Sequence, residues 1–349
     1  MKSICFFNNK GGVGKTTLIC NVASYLATNH NLRVLVVDAD PQCNSTQLIL
    51  GDEKVVAYYS PKTPKSEKPH TLFDVLRPIG AGEADIEQNI RIIPRTENRF
   101  GVDVLPGHPA VALMEDRFSQ AWLDLLGKQP GGFRKTNWNT QLCNALKHNY
   151  DFAFFDVGPS LGALNRTVLV GVDFFVSPMG CDVFSIMGID NISKWLKSWL
   201  GAYASSLSSY DSQEWDVDLG GYPVKTDTTL IARFIGYTVQ QYITKSIKGG
   251  ERRATVAYET ILKKIPGAIT RELKEFVPNN LIQESLRLGD VPNMFSLVPL
   301  AQNAVAPIHR IEGGDGLVGA QYSQKEKYVS FIAALASSIL SNVGTPGMV

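Results

Sequence analysis

Lys10-Gly11-Gly12-Val13-Gly14-Lys15-Thr16-Thr17 follows a single short apolar run, Ser3 to Phe7, and its reading decides the fold. Gly11, Gly12 and Gly14 carry no Cβ, so the backbone can turn at positive φ and set its N–H groups against phosphate oxygens. The helix expected next adds its N-terminal dipole to the same anion site. Lys15 is placed to reach the β- and γ-phosphates as a point charge, and the Thr16 hydroxyl to ligate the Mg²⁺ that bridges them. The candidate nucleotide-binding set is therefore Gly11, Gly12, Val13, Gly14, Lys15, Thr16 and Thr17. A fortuitous glycine-rich turn is the competing reading. It leaves unexplained why a strand-like run precedes the loop and a helix-like run follows, which is the context a phosphate-binding loop needs.

Two further strand ends carry carboxylates. Arg33 to Val37 is a β-branched run that leads into Asp38-Ala39-Asp40-Pro41-Gln42-Cys43-Asn44-Ser45-Thr46, and Phe152 to Phe155 leads into Asp156-Val157-Gly158-Pro159-Ser160-Leu161-Gly162. Neither run alternates, which suits strands buried on both faces of a parallel sheet. A carboxylate at the C-terminal end of such a strand lies at the crevice where these sheets bind ligands, so Asp156 can hold Mg²⁺ through water. Asp38 and Asp40 also suit a turn or cap before Pro41 by residue type alone. The fold class expected is α/β, a doubly wound, mostly parallel sheet with helices on both faces.

Lys10 narrows the class, because an ordinary phosphate loop does not ask for lysine there. With Asn8 before it, KGGVGKTT resembles the deviant Walker A motif of the ParA/MinD family of ATPases, which also includes the nitrogenase iron protein. The resemblance implies ATP and Mg²⁺ as ligands and a sandwich homodimer in the ATP state, with Lys10 of one subunit contacting the phosphates of the other. It implies a catalytic set of Lys10, Lys15 and Asp40, and a metal set of Thr16, Asp38 and Asp156. The segment from Asp38 to Thr46 resembles switch I, in which Asp40 positions or deprotonates the attacking water and Asp38 supports Mg²⁺ and switch geometry. The segment from Asp156 to Gly162 resembles switch II. Gly158 stands where the family usually has the first of two prolines, a departure that bears on switch rigidity and not on magnesium. Asp173 to Pro178 with Ile186 to Ile192 resembles the next strand and helix. Phe295 to Pro299 resembles the last core strand before Ala306-Pro307. The family often cradles the base after Pro299, where no reader of adenine is assignable from sequence.

Composition fits an enzyme-like globular chain. Of 349 residues, 44% are hydrophobic and 19% charged, ordinary values that allow a substantial core. A formal net charge of +1 gives no global pull toward nucleic acid. Cys5, Cys20, Cys43, Cys143 and Cys181 are scattered without a CxxC pair, which argues against disulfides and zinc. No apolar stretch approaches the roughly 20 residues of a membrane span, and the first strand leaves no room for a cleavable leader. The helical run from Lys325 to Leu340 has its lysines at the start and small residues later, which reads as core packing and not as a lipid-docking helix. The location expected is cytoplasmic, at the nucleoid if DNA is bound.

One ATPase domain is expected over residues 1–343, with insertions near 52–70, 95–140 and 205–228 and a flexible tail at 344–349. Asp52 to His70 carries Pro61, Pro64 and Pro69 among lysines and reads as an exposed loop. Val111 to Leu126 reads as a helix within the second insertion. Lys245, Lys248, Arg252 and Arg253 are candidate DNA contacts, because family members that use the nucleoid bind duplex non-specifically through basic residues in their later halves. A solvated face is the plainer account. Ile189, Ile192, Trp195, Leu196, Trp199, Leu200 and Tyr203 share one helix face, as core or as an interface.

The function implied is a dimerising ParA-type switch ATPase, slow alone, acting in DNA partition or cargo positioning with a ParB-like activator. Alternatives are a similar switch serving a defence, secretion or polymer-export assembly, a MinD-type membrane ATPase, and an ATP-dependent amide ligase on the same fold. A ligase should turn over ATP only with a small acid.

Overall fold

A computed structural model describes residues 1–64, 68–240, 244–246, 252–254, 256–294 and 296–344, without the side chains of 213, 244–246, 252–254, 256 and 257. In chain order the elements are β1 (Lys2–Phe6), α1 (Lys15–Asn29), β2 (Val34–Asp38), α2 (Asn44–Tyr59), α3 (Leu72–Ala81), β3 (Asp103–Leu105), α4 (Met114–Leu126), α5 (Pro130–Thr136), α6 (Trp138–Leu146) and β4 (Phe152–Asp156). There follow α7 (Ala163–Gly171), β5 (Phe174–Gly180), α8 (Val183–Ser208), α9 (Ser212–Trp215), β6 (Arg233–Gln240), β7 (Thr244–Ser246), β8 (Arg252–Ala254), α10 (Val256–Glu272), β9 (Arg287–Val291), α11 (Leu297–Asn303) and α12 (Gln321–Asn342).

Seven strands form one all-parallel sheet in the order β3-β2-β4-β1-β5-β6-β9. The two-residue period of a strand divides each apolar run between two cores. Ile4, Phe6, Val34, Val36, Phe152 and Phe154 pack against α1, α2, α11 and α12. Cys5, Leu35, Val37, Ala153 and Phe155 face the other way, toward α3 to α8 and α10. With both faces covered, the central strands need no polar side, which is why their sequences do not alternate. The chain winds from β1 to one side and returns through β4 to the other. That reversal opens a crevice beyond the strand ends, where Phe6, Asp38 and Asp156 stand at the ends of β1, β2 and β4.

Two expectations need correction. The last core strand is Arg287–Val291, and Leu297–Asn303, which takes in most of the 295–299 run, is helical; Phe295 itself lies outside the described residues. As an edge strand, β9 buries Leu288 and Val291 while Arg287 pairs with Asp290, so it shows no continuous apolar run. Leu297 and Ala301, four apart and buried, fit a helix, and Pro299 falls in its first turn where proline costs little. The second correction is that residues 52–59 are helical and only the proline-bearing part after Tyr59 is a loop. Helix α2 kinks at Gly51 (φ 75°), where a Cβ would meet Val305 Cγ2 at 2.8 Å. The stretch 95–140, expected as an insertion, supplies β3 and the helices α4 and α5. The helix at Val111 to Leu126 is present as a short 3₁₀ turn followed by α4.

Candidate nucleotide-binding site

The loop between β1 and α1 takes the conformation its glycines permit, with φ 74° at Gly12 and 73° at Gly14. Gly14 caps α1 without any side-chain acceptor, which leaves the N–H groups of the first turn for an anion. Lys15 is buried, and its Nζ donates to the carbonyls of Asn8 and Lys10, each at 3.1 Å. Burial pulls its pKa down, while Asp156 and Asp40 pull it up. Asn8 fastens the loop from beneath: its Nδ2 donates to Pro178 O at 2.7 Å and its Oδ1 accepts from Lys10 N at 2.9 Å. Lys10 points elsewhere. Its ammonium is ion-paired with Asp182, half-exposed, and Asp182 also caps α8 by accepting from Ser185 N at 3.0 Å.

Asp38 and Asp156 are register partners on adjacent strands and both are fully buried. Their surroundings differ. Asp38 Oδ2 accepts from Thr46 N at 2.8 Å and from Thr46 Oγ1 at 2.6 Å, and Oδ1 accepts from Asp40 N at 3.2 Å. Both oxygens of Asp156 are buried with no hydrogen bond formed. An unpaired buried carboxylate costs several kcal/mol when charged, so proteins shift its pKa instead. Burial raises both carboxyls above the usual range, and each is raised further by a neighbouring carboxylate. Asp40 is nearly buried, accepts from Gln42 N at 3.0 Å and lies against Gly158, where a Cβ would stand 3.2 Å from Asp40 Oδ1.

Of these groups Lys15 and Asp40 line a cleft of ≈ 940 Å³. Residues 11–17 form its floor, Asp40, Gln42, Val157 and Pro159 one wall, and Gly51 to Lys54 with Gln302, Asn303 and Val305 the far end. The bound group most at home here is a Mg²⁺-nucleotide. The open first turn of α1 suits phosphate, and the orphaned oxygens of Asp156 beside Thr16 suit a hard cation. Among the described residues no three His, Cys, Asp or Glu side chains form a metal cage of their own, so phosphate oxygens would have to complete the shell. Mg²⁺ bound there would neutralise charge on the β- and γ-phosphates.

The candidates from Gly11 to Thr17 with Asp38, Asp40 and Asp156 thus gather around one crevice, while Lys10 is turned away from it to Asp182. Sequence reasoning missed Asp182, which only its place two residues after Gly180 and before a helix could have flagged as a cap. It also missed Thr46 as the anchor of Asp38, and Gln302 and Asn303 on the cleft wall. Of the candidate DNA contacts, Lys245, Arg252 and Arg253 have backbones in the antiparallel pair β7–β8, with Lys245 opposite Arg253. Their side chains, and all of Lys248, lie outside the described residues. The tryptophan face of α8 is turned inward: Trp195 stacks on Phe7 at 5.7 Å and Trp199 packs on Trp122 at 5.4 Å. Burial together with Asp38 and Asp40 pushes the pKa of Cys43 up to about 12, which disfavours the reactive thiolate.

A phosphate loop meeting strand-end carboxylates at the crevice of a parallel sheet places the molecule among P-loop nucleotide-binding proteins. Residues 1–208 match the family described as AAA domain. Sporulation initiation inhibitor protein Soj from Bacillus subtilis is 33% identical over 193 residues, which cover 55% of this chain and 63% of that protein. Protein DIP2308 from Corynebacterium diphtheriae has a crystal structure with TM-score 0.76 and 32% identity over 99% of each chain. An ATP complex of a McdA variant from Cyanothece superposes with TM-score 0.60 over 100% of this chain and 98% of that one, at 14% identity, a likeness of fold alone. The chain belongs to the ParA/MinD family of P-loop ATPases. It matches less than two thirds of the length of Soj.

Proposed function

We propose that this chain is an ATP-dependent, dimerising switch ATPase of ParA type, working in DNA partition or cargo positioning with a ParB-like activator. The observation that carries the reading is the division of labour between two lysines of one loop. Lys15 is buried over its own phosphate floor, whereas Lys10 is turned out of that cleft to Asp182 at the surface. A cation so placed would exchange Asp182 for the phosphates of a second subunit, where it would stabilise developing charge as an arginine finger does. ATP then acts as the glue of a homodimer, and Asp40, beside Gly158 and facing the cleft, positions the attacking water. Soj, a family relative, is described as a sporulation initiation inhibitor, and other relatives are described as chromosome partitioning proteins. Non-specific duplex contact through Lys245, Lys248, Arg252 and Arg253 belongs to this reading. So do a cytoplasmic location and Mg²⁺ held by Thr16, Asp38 and Asp156.

Light scattering after size exclusion on Asp40→Ala with ATP and Mg²⁺ tests it, with and without random-sequence duplex. A nucleotide-dependent dimer that co-elutes with DNA is the expected result, and a monomer with ATP would contradict it. A dimer that ignores DNA would favour a switch for a protein assembly, the second reading, which the helices α4 to α6 between β3 and β4 support as a docking surface. Among the described residues no helix is long and apolar enough to cross a membrane.

A further inference from the structure

Helix α7 begins directly after switch II, and its first turn has no cap of its own: Gly162 precedes it and offers no side chain. The cap comes from a distant helix. Glu115, in the first turn of α4, accepts from Ala163 N through Oε1 and from Leu164 N through Oε2, the latter at 3.0 Å. Gly162 sits at an ordinary φ of −77°, so its glycine is not required by backbone conformation. It is required by space, because a Cβ there would fall on the Glu115 carboxylate. The carbonyls of the same segment are held as well. Asn165 Nδ2 donates to Gly158 O at 2.8 Å and to Ser160 O at 2.7 Å, and Trp195 Nε1 donates to Leu161 O at 3.0 Å.

Switch II in turn packs on both halves of the candidate site. Gly158 lies against Asp40, Pro159 packs over Gly11, and Val157 and Pro159 line the cleft. We propose that Glu115 is a positioning residue for ATP hydrolysis, and that the clamp of Glu115, Asn165 and Trp195 gives switch II the rigidity that a proline at 158 would otherwise supply. A carboxylate across the first N–H groups of a helix is a charge-assisted contact that also meets the helix dipole, so it restrains the chain more than a neutral cap would. The helix that carries it lies between β3 and β4, in the segment whose sequence reads as an insertion. That segment therefore has a direct line to the loop facing Asp40. The inference rests on the switch-ATPase reading.

The test compares Glu115→Ala, Glu115→Gln and a surface control on the same helix, Gln120→Ala, in the full chain. Single-turnover hydrolysis of Mg²⁺-ATP and amide hydrogen exchange over residues 157–164 are both measured. Glu115→Ala is expected to lower the hydrolysis rate about tenfold while the Kd for ATP stays within about twofold. Exchange at Ala163 and Leu164 should quicken by about two orders of magnitude. Glu115→Gln, which keeps one acceptor, should fall between, and Gln120→Ala should match the wild type. Unchanged exchange in Glu115→Ala, or faster exchange with a wild-type rate, would overturn the inference. A wild-type chain that hydrolyses no ATP would instead overturn the reading beneath it. If Glu115→Ala does not fold, Glu115→Gln carries the same comparison: a lower rate with unchanged Kd supports the clamp, and a wild-type rate refutes it.

Discussion

Switch I and switch II leave neighbouring strands at directly opposed residues, Asp38 and Asp156, yet they are secured by different means. Switch I is tied mainly to itself, with Gly107 N on Thr46 and Ala39 N on Asp156 O as its links outward. Asp38 takes both donors of Thr46, Asp40 takes Gln42 N, and Cys43 N closes a turn on Asp40 O at 2.9 Å, all within nine consecutive residues. Switch II is tied to others, through Glu115 on α4, Asn165 on α7 and Trp195 on α8. Its leading carboxylate, Asp156, is left unpaired. A self-tied segment keeps its shape with or without ligand, whereas one held from outside can answer to whatever moves its supports. The hydrogen-bonded Asp38 suits the holding of geometry, and the unpaired Asp156 suits a cation.

The largest effect falls on the floor the two switches share. Lys15→Ala removes the buried ammonium and should weaken ATP binding by about 100-fold or more, since charge-assisted contacts are worth roughly 1.5–3 kcal/mol each. Equilibrium binding of a fluorescent ATP analogue measures it, and dimerisation with ATP should vanish in parallel. Near-normal affinity would mean that the loop's N–H groups alone hold the nucleotide.

Breaking the self-tied side comes next. Thr46 Oγ1 donates to Asp38 and accepts from Gly107 N at 2.9 Å, so Thr46→Val strips one donor from a buried carboxyl and orphans a buried N–H. A loss of about 3 kcal/mol in denaturant unfolding is expected. The contrast with Glu115→Ala sharpens the comparison, because the remote clamp should loosen locally without a comparable loss of global stability. Equal losses would mean that both switches are merely structural.

The smallest effect is a proton count. Burial raises the pKa of Asp156, and of Asp38, so the empty protein keeps protons there that the unfolded chain has already lost. The contribution of these two carboxyls to stability without nucleotide should therefore be full below the ordinary carboxylate range and be lost as pH rises through the raised folded values. Mg²⁺ favours the charged form. Mg²⁺-ATP binding should release about half a proton or more near neutral pH and tighten as pH rises. Calorimetry in buffers of different ionisation enthalpy reads this directly, and no proton release would mean that the carboxyls are already charged.

What was legible in the sequence follows the same division. The phosphate loop, β1, β2, β4 and switch I are contiguous stretches whose residue types and spacing carry their own physics, and all were readable. Switch II was readable as a segment, but its supports were not, because Glu115 lies 48 positions before Ala163. Asp182 escaped for the same reason, 172 positions from Lys10. Strand β9 was misplaced because an edge strand closed by an Arg287–Asp290 pair lacks the apolar run of a central one. Residues 52–59 read as loop from sequence because prolines follow them, whereas α2 continues through them past its kink at Gly51. Gln302 and Asn303 reach the cleft only through the fold.

Asp40 is expected to act after binding and not during it. The decisive measurement is therefore ATP binding and phosphate release side by side for Asp40→Ala and the wild type. Binding of Mg²⁺-ATP within about threefold of wild type, with phosphate release slowed by about 100-fold or more, is the predicted result. Phosphate release at the wild-type rate would contradict it and remove Asp40 from the hydrolytic step.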